Sequence, residues 1–466
     1  MNQRQGLTTN LIALITLAVA SVAMGASMAN AAPARCFGHA ATITGTNQGE
    51  ELVGTSGRDV IVARGGDDRI EARGGRDLIC AGGGGFDVVF AGRGHDRIAG
   101  QAGFDIAFPG PGDDFFNGGR GGGFITYEGT HTRVRADLRS GVVTAQGRDR
   151  VKNVEGVGGS EVGDVLIGNN DEFNSLEAYG GNDVVRGLGG DDFINAGAGD
   201  DTIAGGDGDH DFLDLVIAHA GPDIGDDILA TSGAVADLNT GTVNGGADVG
   251  QDTFTGIEGL GATLGDDTIT GDAGHNELFA FDGTDSLQGG DGDDFLAPGP
   301  GDDVADGGAG NDVADFFHSH PFEGGTHGPV TVDLGGTQTA TGQGTDDINS
   351  FEGAVGTLLD DTLTGSPGAD ILLLGAEGSD TISGETGDDN LDGDAFFFGF
   401  PENLPGSDSL DGGPGQDVCV GGETTDECET FEPPPPATMR SSTLRTSSIA
   451  SVEFFRVLWQ RFYSRM

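Results

Sequence analysis

Basic residues are almost missing from the second half of this 466-residue chain. Residues 187–436 contain 53 acidic residues and no Lys or Arg, and they carry nearly all of the formal net charge of −54. A field this negative excludes nucleic acid as a partner and attracts cations. A disordered, acidic, solvating chain is one interpretation of this composition, but regularly spaced apolar residues among the acids count against it.

Motifs for catalysis are also missing. The sequence has no H-E-x-x-H zinc-protease motif and no G-x-S-x-G nucleophile elbow, so we expect no enzymatic activity. A cluster of His318, His320, Glu323 and His327 has side chains of the zinc-binding type. It lies in a segment with Pro and Gly that offers no rigid scaffold, and a solvated loop is therefore the favoured interpretation.

Long apolar runs are confined to the N-terminus. A basic Arg4, an apolar stretch at 11–20 and small residues at 29–31 have the form of a secretory signal peptide. No later stretch has the roughly 18 apolar residues of a membrane span. We therefore expect a secreted, extracellular mature chain, either free or associated with the cell surface.

Glycine, in contrast, is abundant, with 89 residues, and it recurs with a period of nine. From Gly54 the chain divides into units such as GTSGRDVIV and ARGGDDRIE, with Asp at the sixth position and an apolar residue at the eighth. Glycine at positions one, two and four permits tight turns whose carbonyl oxygens point inward. Positions seven to nine predict a short strand whose middle residue enters a core. The same frame returns in four banks of repeats.

Three units follow the pattern G-G-x-G-x-D-x-U-x most closely: GGDGDDFLA (289–297), GGAGNDVAD (307–315) and GGPGQDVCV (412–420). The chain therefore resembles the RTX, or hemolysin-type, calcium-binding repeat proteins. This resemblance implies an all-β fold, a right-handed parallel β-roll with β-rich inserts, and several Ca²⁺ ions bound in the turns. It gives the role of metal ligand to the matching sixth-position aspartates, which are Asp59, Asp68, Asp77, Asp87, Asp96, Asp105, Asp114, Asp183, Asp192, Asp201, Asp211, Asp285, Asp294, Asp303, Asp312, Asp370, Asp380, Asp389, Asp408 and Asp417.

Some units depart from this pattern. Asn174 and Asn276 replace sixth-position aspartates, and Glu50 stands where an earlier one belongs. The first bank also differs from the later, base-free banks because its turns contain arginines. We expect this bank to depend less on calcium than the later ones. These arginines are Arg58, Arg64, Arg69, Arg73, Arg76, Arg93 and Arg97.

The segments between the banks form a second, longer repeat, in which VRADLRSG (134–141), AVADLNTG (234–241) and VTVDLGGT (330–337) correspond. Their alternating apolar residues predict strands. We interpret the inserts as wider coils of the roll, and small separate lobes are the alternative. The predicted organisation is a signal peptide (1–31), a lead-in with the first bank (32–123), an insert with the second bank (124–214), an insert with the third bank (215–315), an insert with the fourth bank and a C-terminal cap (316–432), and a Pro-rich linker with a basic tail (433–466).

The four cysteines fit an oxidising compartment and allow three pairings. Cys419 and Cys428 occupy the eighth position of consecutive units, and a bridge between them would close the C-terminal end, where a solenoid needs a cap. A bridge between Cys36 and Cys80 would likewise tie the lead-in to the first bank. We favour these two pairings.

The expected function follows from these features. We expect a secreted protein that folds on binding Ca²⁺ outside the cell and has a structural or interaction role, with calcium ions as its partners. An extracellular adhesin or matrix protein that binds cells or glycans is one alternative, and a secreted hydrolase with an unrecognised site is another. Nucleic acid is not expected as a partner, nor is a transmembrane span in the mature chain.

Overall fold

A computed structural model of the chain describes residues 33–170, 173–219, 227–317, 328–393, 407–421, 424–426 and 428. The predicted signal peptide, the cluster from His318 to His327 and the basic tail lie outside the described residues. Every regular element in the described part is a short strand. No helix there is long and apolar enough to cross a membrane.

Most of the strands form two walls that run the length of the repeat region. Wall 1 consists of Ile43–Thr44, Val60–Arg64, Leu78–Gly83, Arg97–Ala102, Phe115–Gly119, Arg135–Asp137, Val142–Thr144, Arg148–Lys152, Val165–Ile167, Val184–Gly189, Thr202–Asp207, Val235–Asp237, Thr242–Asn244, Gln251–Thr255, Thr268–Thr270, Ser286–Asp291, Val304–Ala309, Thr331–Asp333, Thr339–Thr341, Thr345–Asn349, Thr362–Thr364, Thr381–Ser383, Ser409–Asp411 and Thr424–Asp426. Wall 2 consists of Glu51–Val53, Arg69–Glu71, Val88–Phe90, Asp105–Phe108, Gly123–Thr126, Gly156–Ser160, Ser175–Tyr179, Phe193–Asn195, Phe212–Asp214, Gly259–Gly261, Glu277–Phe279, Phe295–Ala297, Val313–Asp315, Gly353–Val355, Leu372–Leu374, Asn390–Asp392 and Val418–Val420.

Three short strand pairs lie outside the walls. Arg35–Cys36 pairs with His39–Ala40 and Ile217–His219 pairs with Asp227–Leu229, both antiparallel. Gly74–Gly75 pairs with Arg93–Gly94 in parallel.

Each coil of the repeat adds one strand to each wall, because consecutive nonapeptides alternate between the walls. Leu78 pairs in parallel with Val60 one coil earlier, and Arg69 of wall 2 pairs with Val88 one coil later. The eighth-position residues of both walls point inward, and Ile61 and Ile70 are fully buried in one continuous core. The parallel β-roll predicted from the sequence is therefore confirmed.

The inserts are part of wall 1. In the first insert, Arg148–Lys152 pairs in parallel with Phe115–Gly119 of the preceding coil. Val142–Thr144 runs antiparallel to it, and Arg135–Asp137 returns to the parallel direction and pairs with Val165–Ile167 of the next coil. The other two inserts have the same arrangement. Each insert therefore continues the roll as a wider coil, which contributes three strands to wall 1 and one strand to wall 2.

Large apolar side chains fill the interior of these wider coils. Tyr127, Leu215 and Phe316 follow the wall 2 strand that precedes each insert, and all three are buried in the main core. In the first bank, Ala72 and Ala91 stand at the corresponding place after a wall 2 strand. Because the core of an insert must span three strands of wall 1, a larger residue there keeps it close-packed.

Both predicted disulfides are confirmed. Cys36 is bonded to Cys80, with 5.7 Å between the Cα atoms, and it holds the antiparallel lead-in pair against wall 1. Cys419 is bonded to Cys428 at the C-terminal end of the described roll, with a Cα–Cα distance of 5.8 Å. The two bridges therefore tie the two ends of the roll.

Candidate metal centre

All the predicted aspartate ligands lie in two columns. Each aspartate lies just before a strand of a wall or at its start. They are all buried, with at most 5% of their surface exposed. Column 1 precedes the strands of wall 1 and contains Asp59, Asp77, Asp96, Asp114, Asp183, Asp201, Asp285, Asp303, Asp380 and Asp408. Column 2 belongs to the strands of wall 2 and contains Asp68, Asp87, Asp105, Asp192, Asp211, Asp294, Asp312, Asp370, Asp389 and Asp417.

Within each column the carboxylates are linked from coil to coil. The N–H of Asp285 donates to Oδ1 of Asp303 at 2.7 Å, and the N–H of Asp294 donates to Oδ1 of Asp312 at 2.8 Å. The first bank has the same links. One oxygen of each such carboxylate thus satisfies the backbone of the neighbouring coil, which fixes the direction of its other oxygen.

The second carboxylate oxygen, Oδ2, has no hydrogen-bond donor at most of these positions although it is buried. A buried carboxylate oxygen without a donor is costly, so a row of them indicates that a cation belongs there. These residues are Asp68, Asp77, Asp87, Asp96, Asp105, Asp114, Asp183, Asp192, Asp201, Asp211, Asp285, Asp294, Asp303, Asp312, Asp380, Asp389 and Asp417.

Burial raises the pKa of most of these carboxyl groups, and repulsion between neighbouring carboxylates raises it further. The pKa of Asp201 and that of Asp285 rise to about 8. Those of Asp294 and Asp303 rise to about 7, with desolvation again the first cause. Without a cation, the columns therefore retain protons close to neutral pH. A divalent cation that binds there displaces those protons.

The repeat glycines bring backbone carbonyls next to the carboxylates. A Cβ on Gly289, the first residue of its unit, would lie 2.4 Å from the carbonyl oxygen of Gly307 in the next coil and 2.5 Å from Oδ2 of Asp294. A Cβ on the fourth-position Gly310 would lie 1.5 Å from the carbonyl oxygen of Gly292 in the preceding coil. At these two positions only glycine permits the close stacking, which at Gly289 brings a carbonyl oxygen next to the carboxylate of Asp294.

Two of the predicted ligands differ from the rest. Oδ2 of Asp59 accepts the N–H of Thr55 at 2.7 Å and its hydroxyl at 2.9 Å, and the carboxylate of Asp370 accepts the N–H of Ser366. Protein donors therefore satisfy the oxygens that are without donors elsewhere. The same Ser or Thr cap is found at three further residues, each of which starts column 1 after an insert: Asp164, Asp267 and Asp361.

Besides Asp164, Asp267 and Asp361, the structure places in column 1 three further aspartates that the sequence analysis missed, one from each insert. The carboxylates of Asp149, Asp252 and Asp346 accept the N–H of Asp114, Asp201 and Asp303 respectively. Oδ2 of Asp252 and of Asp346 is buried without a donor, whereas Oδ2 of Asp149 accepts the hydroxyl of Tyr127 at 2.6 Å. These aspartates lie in the shortened motif G-x-D-x-U, as GRDRV, GQDTF and GTDDI, and this motif is the sequence signal that could have identified them.

A comparison with protein-family models identifies these repeats. The model described as "RTX calcium-binding nonapeptide repeat (4 copies)" matches residues 44–79, 81–107, 177–209, 262–296, 299–315, 355–376, 372–396 and 404–427. The chain carries RTX calcium-binding repeats in several copies along its length. A search of curated proteins found no match to it.

The donor set of this RTX protein fits calcium. Ca²⁺ takes oxygen ligands from carboxylates and backbone carbonyls in flexible geometry, and the columns offer these two types together. The donor-free Oδ2 atoms would hold the ion together with carbonyl oxygens of the glycine turns. Bound calcium would supply the positive charge that 187–436 lacks. The aspartates orient the next coil through Oδ1, and the glycines keep the coils close enough to share an ion.

Proposed function

We propose that this RTX protein is a secreted, non-catalytic protein whose β-roll folds when its aspartate columns bind calcium outside the cell. The observation that carries the proposal is the row of buried Oδ2 atoms without hydrogen-bond donors. Their desolvation and mutual repulsion oppose folding of the calcium-free chain, because unfolding returns each carboxylate to water. Calcium binding removes that opposition, so binding energy becomes folding energy.

The charge distribution supports the same coupling. Residues 187–436 have no Lys or Arg to balance their acids. Extracellular calcium modules have dissociation constants of about 10⁻⁴–10⁻³ M. With similar affinities, the chain stays unfolded at low calcium concentration and folds where calcium is plentiful, which suits export before folding.

Far-UV circular dichroism of the purified chain in calcium, in magnesium and after dialysis against EDTA tests this proposal. We expect a strand signal in calcium, with a midpoint at about 10⁻⁴–10⁻³ M, and the loss of most of that signal with magnesium or EDTA. A chain that stays equally strand-rich after dialysis, with no metal by elemental analysis, would contradict the proposal.

An extracellular adhesin or matrix protein is the second candidate, and one surface favours it. The outward side chains of wall 1 form a regular array of exposed hydroxyl groups, including Thr253, Thr255, Thr268, Thr362 and Thr381. A rigid polar face of this kind suits repeated hydrogen bonding to glycans or to another protein. Calcium-dependent binding to a glycan array, weakened when Thr268 and Thr362 are changed to Asp, would support this role. Absence of binding to glycans and to matrix preparations would remove it.

A further inference from the structure

Two histidines and a glutamate meet on wall 2 where the second and third banks adjoin, with His210 from the second bank and His275 and Glu277 from the third. Nδ1 of His210 lies 3.7 Å from Oε1 of Glu277, and Nε2 of His275 lies 3.6 Å from the same oxygen. One ligand atom from each residue can be chosen so that all three lie within 4.8 Å of one another. In the sequence, His210 and His275 are 65 residues apart and only fill variable turn positions.

The register of wall 2 explains how they meet. Phe212 pairs with Gly259, and Gly259 pairs with Glu277, so His210 and His275 belong to coils two steps apart. The intervening strand Gly259–Gly261 begins and ends with glycine. No side chain at Gly259 separates His210 from Glu277, and His275 lies two residues before Glu277 in the same coil.

The polar atoms of this cluster are buried and lack protein partners. The side chains of His210 and Glu277 are only 9% and 7% exposed. Both ring nitrogens of His210, Nε2 of His275 and Oε1 of Glu277 have no hydrogen-bond partner. The distances of 3.6 and 3.7 Å are too long for hydrogen bonds. The three side chains therefore lie close together without hydrogen bonds to one another. The aspartate columns show the same feature, but this cluster also offers nitrogen ligands.

We infer that His210, His275 and Glu277 form a binding site for a divalent transition metal of the zinc type. Zinc binds His nitrogen and carboxylate oxygen at about 2.0–2.2 Å, which places tetrahedral ligands roughly 3.3–3.5 Å apart, close to the separations in this cluster. Imidazole ligands favour zinc over calcium, which prefers oxygen. Nδ1 of His275 donates to the carbonyl oxygen of Asp293, which leaves the Nε2 lone pair directed at the cluster. A water molecule would complete the coordination.

The site differs from the calcium columns in its role. It joins the turn before Phe212–Asp214 to the strand Glu277–Phe279 across one intervening coil. A metal there would crosslink the start of the third bank to the end of the second, across the second insert. We expect zinc to slow local opening at this junction without replacing calcium.

Zinc titration of the purified, untagged chain in saturating calcium tests the inference, with isothermal calorimetry as the readout. We expect one zinc ion per chain. His210→Gln and Glu277→Gln should each weaken its binding by more than about 100-fold, since even supporting residues of metal sites contribute 10–100-fold. Cobalt in place of zinc should give the visible absorption of a tetrahedral site in the wild type and not in these variants.

Three controls make the outcome decisive. His95→Gln changes an exposed histidine in a turn of the first bank and should leave zinc binding intact. A variant with His318, His320 and His327 all changed to Gln should also retain the ion. If zinc binding survives in His210→Gln and Glu277→Gln, or disappears only in the triple variant, the inference is wrong. Calcium-dependent circular dichroism verifies folding of each variant, and His275→Gln, whose side chain is 31% exposed, provides an independent ligand deletion.

Discussion

The first and third banks have the same backbone arrangement in opposite electrostatic surroundings. Each stacks coils through Asp N–H to Oδ1 hydrogen bonds, at 2.7 Å from Asp59 to Asp77 and 2.7 Å from Asp285 to Asp303. The seven turn arginines of the first bank named above are all exposed, whereas the third bank has no Lys or Arg at all. The turn motif therefore sets the geometry of the roll, and we expect surface charge to set how much calcium each bank needs.

The pKa values of the aspartates reflect part of this difference. Desolvation raises the pKa of Asp77, and the nearby Arg58 partly lowers it. At Asp285 no basic group lowers the pKa. Desolvation raises it, and the neighbouring carboxylates raise it further, to about 8. Deeper in the first bank the pKa of Asp114 is also about 8. Exposed arginines therefore offset repulsion at the start of the first bank more than at its end.

The largest expected effect is the response of the two banks to calcium removal. We expect amides in 262–315 to lose their protection from hydrogen exchange when calcium is chelated, and amides in 54–102 to keep most of theirs. The arginines reduce repulsion in the first bank, and the Cys36–Cys80 bridge closes a 44-residue separation, which stabilises by about 4 kcal/mol. Hydrogen-exchange mass spectrometry of the intact chain measures both regions together. Loss of protection at one common calcium concentration would show that the banks do not differ.

A glycine substitution compares the coil contacts of the two banks. Gly310→Ala places a Cβ against the carbonyl oxygen of Gly292, so the coils must separate, at a cost of about 3 kcal/mol or more. Gly57→Ala occupies the same fourth position at the start of the first bank, where the nearest atom to a Cβ is 3.8 Å away, and it should change stability by less than about 0.5 kcal/mol. Thermal melting in saturating calcium measures both. Similar melting temperatures for the two variants would contradict the stacking contact.

The pH dependence of the calcium-free chain follows from the raised pKa values. An aspartate whose pKa rises from 3.8 to about 8 on folding, such as Asp285, binds more protons in the folded state. Its contribution to stability is therefore fully present below pH 3.8 and is lost as pH rises through 8. We expect the metal-free chain to have a stronger strand signal at pH 5 than at pH 8. A calcium-free signal that grows with pH would be the opposite of this expectation.

The smallest expected effect separates two kinds of aspartate. Asp294→Asn removes the charge of a carboxylate whose Oδ2 has no hydrogen-bond donor. By analogy with other metal-site residues, it should weaken calcium binding at its turn about tenfold or more. Asp59→Asn alters a carboxylate already satisfied by Thr55. It should cost about 1 kcal/mol of stability and leave the number of bound ions unchanged. Native mass spectrometry counts the ions. Equal losses in the two variants would mean that the Thr55 cap does not exclude calcium.

Much of the metal centre could be predicted because its chemistry repeats at short range. The nine-residue frame gave the sixth-position aspartates and the inward eighth positions, since both follow from the turn and strand periods. Asp149, Asp252 and Asp346 were missed because each insert interrupts that frame. Their place in column 1 depends on a strand that returns beside a coil 35 to 51 residues earlier.

The amino-acid sequence by itself determined that this chain forms a parallel β-roll with two columns of carboxylates, because glycine turns, aspartates and apolar residues recur within single coils. The Ser and Thr caps are local as well, since each donor lies four residues before its aspartate. Tertiary structure alone decided which carboxylate oxygens are buried without donors. It also decided that His210, His275 and Glu277 lie together. Those outcomes depend on which coils become neighbours. Strand register across the inserts determines these neighbours, and distance along the chain does not.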